Sequence, residues 1–318
     1  TATDWAPGAT ITPSAVTQET VSVVLDKSKR TTFNITGKEQ SLGAYDLIQQ
    51  WGVPAVETIL AAVNADIYKE MIASPYVTDA TSGLTELKVI AARTALSNRK
   101  VQMPGRVISS SPDDIGTLMG LPAFAQANIT GRTDIVIDGM ITNRYGFSFT
   151  ENHAIEKYTP ADLAGAVNNG PGYVAGDVSM VVNGFNDDAN PIRKGDVFTV
   201  AGSSLQHTVQ SVTASSGDTI GLTFLPALDG TVANSAAITV VATRSMLAFI
   251  PAATALAARP YAILPSGVGV QSRVFDYEGF PIRISVYHDG NLGVNVQFDA
   301  LYGVKNIDTR RIQRILTV

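Results

Sequence analysis

Between residues 170 and 242 the chain runs through five short alternating segments, VSMVV, DVFTVA, HTVQSVT, TIGLTF and AITVVA, broken by Gly, Asp, Asn and Ser turns. Alternation sends every second side chain to one face, so each segment reads as a half-buried strand. Strands this short and this closely spaced predict a small barrel or sandwich. Helix-bearing sequence stands on both sides of the block. The reading is an inserted all-β domain in an α+β chain.

Upstream, VSVVLDKSKRTTFNIT at 21–36 puts Val21, Val23 and Leu25 on one face of a first arm and Thr31, Phe33 and Ile35 on one face of a second. Lys27, Lys29 and Arg30 cluster between the arms with Asp26 at their edge, which predicts a β-hairpin with a Ser-Lys turn. A two-stranded ribbon is marginal alone in water. Its burial partner lies either within this chain or on a neighbour. Residues 1–18, rich in Thr, Ala and Pro with Trp5 as their large anchor, read as an extended arm.

After the ribbon, Val56, Leu60, Val63, Ile67 and Met71 recur at three- and four-residue spacing and draw one apolar stripe. A helix over about 54–73 follows, with Pro54 suited to its first turn, Pro75 closing it, and a shorter turn near 44–50. A second helix is expected at 85–96, then a strand and a helix that Ser111 or Asp113 can cap. Two strand signals lie in 131–151, with sharp turns or a bulge at Gly139 and Gly146. Past the β block, AFIPAATALAARP reads as an Ala-rich helix ended by Pro260. The last section holds two long strand signals and a basic strand-like tail.

Of the 318 residues, 45% are hydrophobic and only 16% charged, against the usual quarter or so. A surface this poor in charge points to extensive coverage by other chains. The net charge of −5 lacks the basic footprint of a nucleic-acid binder, so direct DNA recognition is not expected. With no cysteine, disulfides and thiolate chemistry are excluded, which fits a reducing cytoplasm. No apolar run reaches the roughly 20 residues of a membrane span, and no export signal is visible, so a soluble product is expected.

Chemistry is sparse. His153, His207 and His288 stand apart, without partners at metal-ligand or triad spacing, and read as surface or turn histidines. No phosphate loop, nucleophile elbow or spaced carboxylate pair occurs, so neither an enzyme nor a cofactor is expected. Asp187 and Asp188 in FNDDANPIRKGD lack the alternating ligands of a calcium loop and read as a solvated turn.

The order of segments, with ALSNRKVQMPGRVISSSPDD, GMITNRYGFSFTEN, LAFIPAATALAARP, and DYEGFPIRISVYHD followed by FDALYGVKNIDTRRIQRI, resembles the major capsid proteins of tailed double-stranded DNA bacteriophages. PIRKGDVFTVAG with LQHTVQSVTASS is similar to the insertion domain of short-tailed-phage coat proteins. The resemblance implies the Hong Kong-phage-type fold: an N-arm at 1–19, an extended-loop hairpin at 20–40, a spine helix and peripheral domain at 41–100, an axial domain at 101–169 and 243–285, an inserted barrel-like β-domain at 170–242, and peripheral return strands at 286–318. It implies self-assembly into hexamers and pentamers of an icosahedral shell around DNA, built in the host cytoplasm with scaffolding and portal proteins and, in some members, a decoration protein. An encapsulin-like cage for protein cargo and a β-rich surface adhesin are the alternatives.

On this reading the extended loop crosses an adjacent subunit. Lys27, Lys29, Arg30 and Phe33 would meet Glu57, Asp66 and Glu70 of the neighbour, and Asp187, Asp188, Arg193 and Lys194 of the insert would touch other capsomers. Lys27 and Lys29 are also placed for the loop cross-link that some members make, but no acceptor Asn with a catalytic Glu is legible, so no cross-link is expected.

Overall fold

The structure, a computed structural model, describes residues 20–42, 47–125, 139, 141, 143–185, 191–213, 219–263, 269–288 and 293–318, with the backbone alone at 40–42 and 47–49. It opens with strand β1 (Lys27–Ile35), helices α1 (Gly37–Leu42) and α2 (Leu47–Met71), strand β2 (Val77–Asp79), helix α3 (Glu86–Asn98), strand β3 (Val107–Ser110), helices α4 (Pro112–Met119) and α5 (Pro122–Ala125), and strand β4 (Ser148–Glu151). Six strands follow: β5 (Ala164–Val167), β6 (Ser179–Asn183), β7 (Val197–Val200), β8 (His207–Val212), β9 (Thr219–Leu225) and β10 (Ala237–Val241). The chain closes with β11 (Arg244–Phe249), β12 (Thr254–Arg259), β13 (Val270–Tyr277), β14 (Phe280–His288), β15 (Val294–Asn306) and β16 (Ile312–Thr317).

These strands make three sheets. The first runs β1-β15-β14-β13, with β12 also paired to β15, and α2 lies across it. Ala55, Val56, Ile59 and Val63 of the helix bury against Ile35, Ile282, Val296, Phe298 and Tyr302 of the strands. Each fully buried large aliphatic side chain contributes about 1.5–3 kcal/mol, so this layer is held by apolar contact. The second sheet runs β2-β16-β11-β3-β4 and packs on α3 and α4 through Val89, Leu96, Ile108, Leu118, Met246 and Ile315. The third closes as a barrel in the order β10-β5-β6-β9-β8-β7 around Met180, Val182, Phe198, Val209, Phe224 and Ile238. The barrel leaves the second sheet after β4 and returns to it at β11. Its first strand, β5, lies upstream of residue 170, where the Gly-Pro-Gly texture change suggested the start.

Ser111 caps α4, its hydroxyl accepting from the Asp114 amide at 3.2 Å and donating back to the Asp114 carboxylate at 2.8 Å. The long helix begins earlier than its apolar stripe suggests, at Leu47, with Pro54 inside it. One helical hydrogen bond is therefore unmade near its start. The first strand signal of 131–151 falls mostly outside the described residues, and the second is β4.

Two expectations are overturned. The Ala-rich segment is not a helix: β11, a short 3-10 turn (Pro251–Ala253) and β12 occupy it, and β12 pairs in register with β15 from Thr254↔Asn306 to Arg259↔Leu301. Alanine's helix propensity is small beside the ladder that β15 offers. Nor is 21–36 a hairpin. No turn forms at Ser28-Lys29; β1 passes straight through it, antiparallel to β15 from Lys27↔Tyr302 to Ile35↔Val294. The partner strand is far away in sequence, so no local pattern announces it.

Candidate assembly surface

Sheet edges decide where one copy of this chain can add to another, because an edge strand presents unpaired amides and carbonyls. The barrel is closed and offers none. The second sheet ends in β2 and β4, three and four residues long. The first sheet ends in β1, nine residues, and β13, eight residues, each paired on one side only among the described residues. These are the long open edges.

Alternation along β1 sends Lys27, Lys29, Thr31 and Phe33 towards α2 and leaves Ser28, Arg30 and Thr32 exposed. Phe33 meets Trp51 edge-on at 5.6 Å between ring centres and tilts against Phe298 at 6.2 Å. Trp51 and Val53 remain 39% and 50% exposed, so an apolar patch adjoins the β1 edge at the start of α2. Arg30 and Glu57 are exposed on the same unit.

Several charges expected to reach a neighbour are engaged at home. Asp66 accepts from the Tyr302 hydroxyl at 2.7 Å and lies 3.4 Å from Lys27 Nζ and 3.7 Å from Lys29 Nζ. Burial works to raise its carboxyl, but the Tyr302 hydroxyl and the two ammonium groups win and hold it below the ordinary carboxylate range. Glu70 takes Lys194 at 2.7 Å and Lys305 at 3.8 Å. Arg193 stacks over the Tyr158 ring at 3.3 Å and lies 3.8 Å from Asp196. Asp187 and Asp188 lie outside the described residues.

A polar junction that the sequence reading missed joins the barrel to the other layers. Arg314, fully buried in β16, donates through Nε and Nη2 to Ser245 Oγ at 3.3 and 2.8 Å and through Nη1 to Thr208 Oγ1 of the barrel at 3.4 Å. Tyr68 of α2 donates to the Ser245 carbonyl at 3.2 Å. Burial pushes the Arg314 guanidinium down to about 10, against the pull of Tyr68 and Asp196. Gln210 of β8 donates to the Ala73 carbonyl at 2.7 Å, and Gly195 leaves no room for a Cβ against Ile72. The signal was an arginine flanked by Ile312, Ile315 and Leu316 in the strand-like tail RIQRILTV.

His207 is also buried, contrary to its reading as a surface or turn residue, and it is wedged between Phe198 and Phe224. Its Nδ1 donates to the Pro226 carbonyl at 2.8 Å, and Nε2 lies 2.8 Å from Ser203 Oγ. Asp229 grips the hydroxyls of Ser203 and Ser204 directly instead of the ring. The order of a serine-nucleophile triad is not met, and the group serves as a clasp at the barrel end.

The barrel side carries two titrations of opposite sign. Burial raises the Asp196 carboxyl to about 6, so its contribution to stability is complete below about pH 4 and is lost as the pH rises through 6. Burial lowers the His207 imidazole, so its contribution is present above about pH 6.5 and is lost as the pH falls. Asp196→Asn is therefore expected to make thermal stability fall more steeply than wild type on acidification from about pH 7 to 5. Parallel melting profiles would contradict the burial of Asp196.

No protein-family profile and no curated protein matches the chain. Solved structures do. A chain of the cyanophage P-SCSP1u capsid superposes with a TM-score of 0.53 at 10% identity, covering 100% of this chain and 80% of that one. The mature capsid of bacteriophage PhiM1 gives 0.51 at 10% identity over 100% and 79%. A chain from Mycobacterium phage Che8 gives 0.51 at 11% identity over 93% and 72%. At such identity the likeness is one of fold, and in the first two structures it covers the whole chain.

Proposed function

We propose that this chain is the major coat subunit of a tailed bacteriophage, a structural protein whose copies close into an icosahedral shell around double-stranded DNA. The observation that carries the reading is the fold match to two phage capsid structures over the whole chain. The open edges β1 and β13 and the apolar patch at Trp51 and Val53 supply the surface that such a subunit needs. Hexamers and pentamers are its assembly units, the layer of α2 and the first sheet acts as the peripheral domain, and the second sheet acts as the axial one. Scaffolding, portal and decoration proteins are the partners the role calls for, and the role needs no catalysis or cofactor.

Negative-stain microscopy of the purified full chain tests this reading. Closed shells are expected; a chain that stays monomeric across protein and salt concentration would overturn it. The surface is tested by Val53→Asp. A charge at a half-exposed helix position costs the fold little, roughly 0.5 kcal/mol, so the melting temperature should hardly move while shell yield drops several-fold. Unchanged yield would remove the patch from the interface.

A further inference from the structure

The basic tail divides into separate fates. Arg314 is buried at the barrel junction, Lys305 turns to Glu70, and Arg310 and Arg311 remain at the surface, 70% and 45% exposed along their side chains. There they meet the end of α3. Arg99, Lys100, Val101, Gln102 and Pro104 from the end of α3, Asp308, Arg310 and Arg311 from the tail, and Ile250 and Ala252 line a cavity of about 500 Å³. Four cationic side chains thus surround one carboxylate, in a chain whose net charge is −5.

The parts of this cavity have distinct duties. Asp308 caps the 3-10 turn Thr309–Arg311 and takes the guanidinium groups of Arg310 at 3.0 Å and Arg311 at 3.2 Å, which gathers both heads at one rim. Arg99 is fixed: its guanidinium stacks on the Tyr76 ring at 4.1 Å, Nε donates to the Arg310 carbonyl at 2.8 Å, and Nη2 donates to Gln313 Oε1 at 2.7 Å. Its Nη1 has no acceptor among the described residues. Lys100 follows the helix with φ at +61°, a left-handed conformation that ends α3 and sets its side chain at the rim.

We propose that this cavity holds phosphate groups of a nucleic-acid backbone. A planar guanidinium already fixed by stacking loses little freedom on taking a phosphate, and the Lys100, Arg310 and Arg311 side chains beside it add to the charge. The excess of positive charge is larger than a single carboxylate requires and suits a polyanion. Contact of this kind carries no base information. It is weak per copy because the rest of the chain repels DNA, and it becomes appreciable when many copies face one molecule. The inference rests on the coat-protein reading for the source of the polyanion, but not for the site.

The test uses the full chain and a short random-sequence duplex, followed by fluorescence anisotropy across a salt series. Arg310→Gln/Arg311→Gln is compared with wild type and with Lys157→Gln, an exposed cation in the connection between β4 and β5. Each phosphate contact adds about 0.9 to the slope of log affinity against log salt, so the double variant should lose nearly two units of slope and about tenfold in affinity at low salt. Lys157→Gln should match wild type, and the melting curves of all three should coincide. Equal slopes for wild type and the double variant would overturn the proposal. So would saturation by inorganic phosphate with no duplex binding, or normal duplex binding by a double variant that no longer forms shells, which would give the cavity to a neighbour's carboxylates. Shell formation is scored separately by microscopy, so a chain that assembles yet shows no slope change sinks this site alone.

Discussion

Arg314→Ala is expected to lower the stability of the chain by about 3–5 kcal/mol, the range for removing one member of a buried charged network. The loss has three sources in the structure: Ser245 Oγ and Thr208 Oγ1 lose their donor, a large cavity opens under β16, and Asp196 loses a nearby positive charge. Because those atoms belong to β11, β8 and the barrel's β6–β7 connection, the barrel should loosen from the sheets before its own core melts. The expected trace is a broadened or two-step thermal transition in place of one. Arg314→Met refills most of the volume, and with Asp196→Asn added should recover the larger part of the loss. A double variant as unstable as Arg314→Ala would show that the two charges are not coupled.

The second large effect is expected at Gly303, in the Leu-Tyr-Gly step of β15. A Cβ built there would lie against the Val24 carbonyl, far inside contact distance, with Leu25 Cα at 3.2 Å. The chain just before β1 crosses the sheet at this point, and only a residue without a side chain lets it through. Gly303→Val should lift residues 20–26 off the sheet while leaving the α2 layer folded, since Phe298, Val296 and Tyr302 pack elsewhere. Protease cleavage within 20–26 should accelerate at least tenfold and shell yield should fall. Cleavage at the wild-type rate would mean that the crossing is not held by this contact.

Local pattern carried the parts of the fold that local physics controls. The stripe from Val56 to Met71, the Ser111 cap and the five alternating segments of the barrel are each specified within a few residues. Pairing between distant strands is not. The pairing of β1 with β15 links Thr31 to Phe298, and no periodicity in 21–36 points there. The same blindness misassigned the Ala-rich segment, whose strand state exists only because β15 lies beside it. Charge partners were no more legible: the resemblance implied that Lys27 and Lys29 meet acids such as Asp66 and Glu70 of a neighbour, whereas within the chain α2 lying over β1 brings Asp66 to both lysines, and Glu70 reaches Lys194 and Lys305. The basic cavity was visible only as two separate runs, Arg99-Lys100 and Arg310-Arg311, until the fold brought them together.

The open sheet has a consequence in symmetry. Its two long edges, β1 and β13, open among the described residues, lie on opposite sides of the same sheet and are different surfaces, so one copy can add to the next in a fixed direction. A copy that adds its β1 edge to the β13 edge of the next makes a head-to-tail contact, and such contacts close into rings whose number is set by the angle between successive copies. Sheet twist, about 20–25° between neighbouring strands and variable by a comparable amount, is a soft coordinate at that joint. One sequence with such a joint can close on five copies or on six without changing its own core.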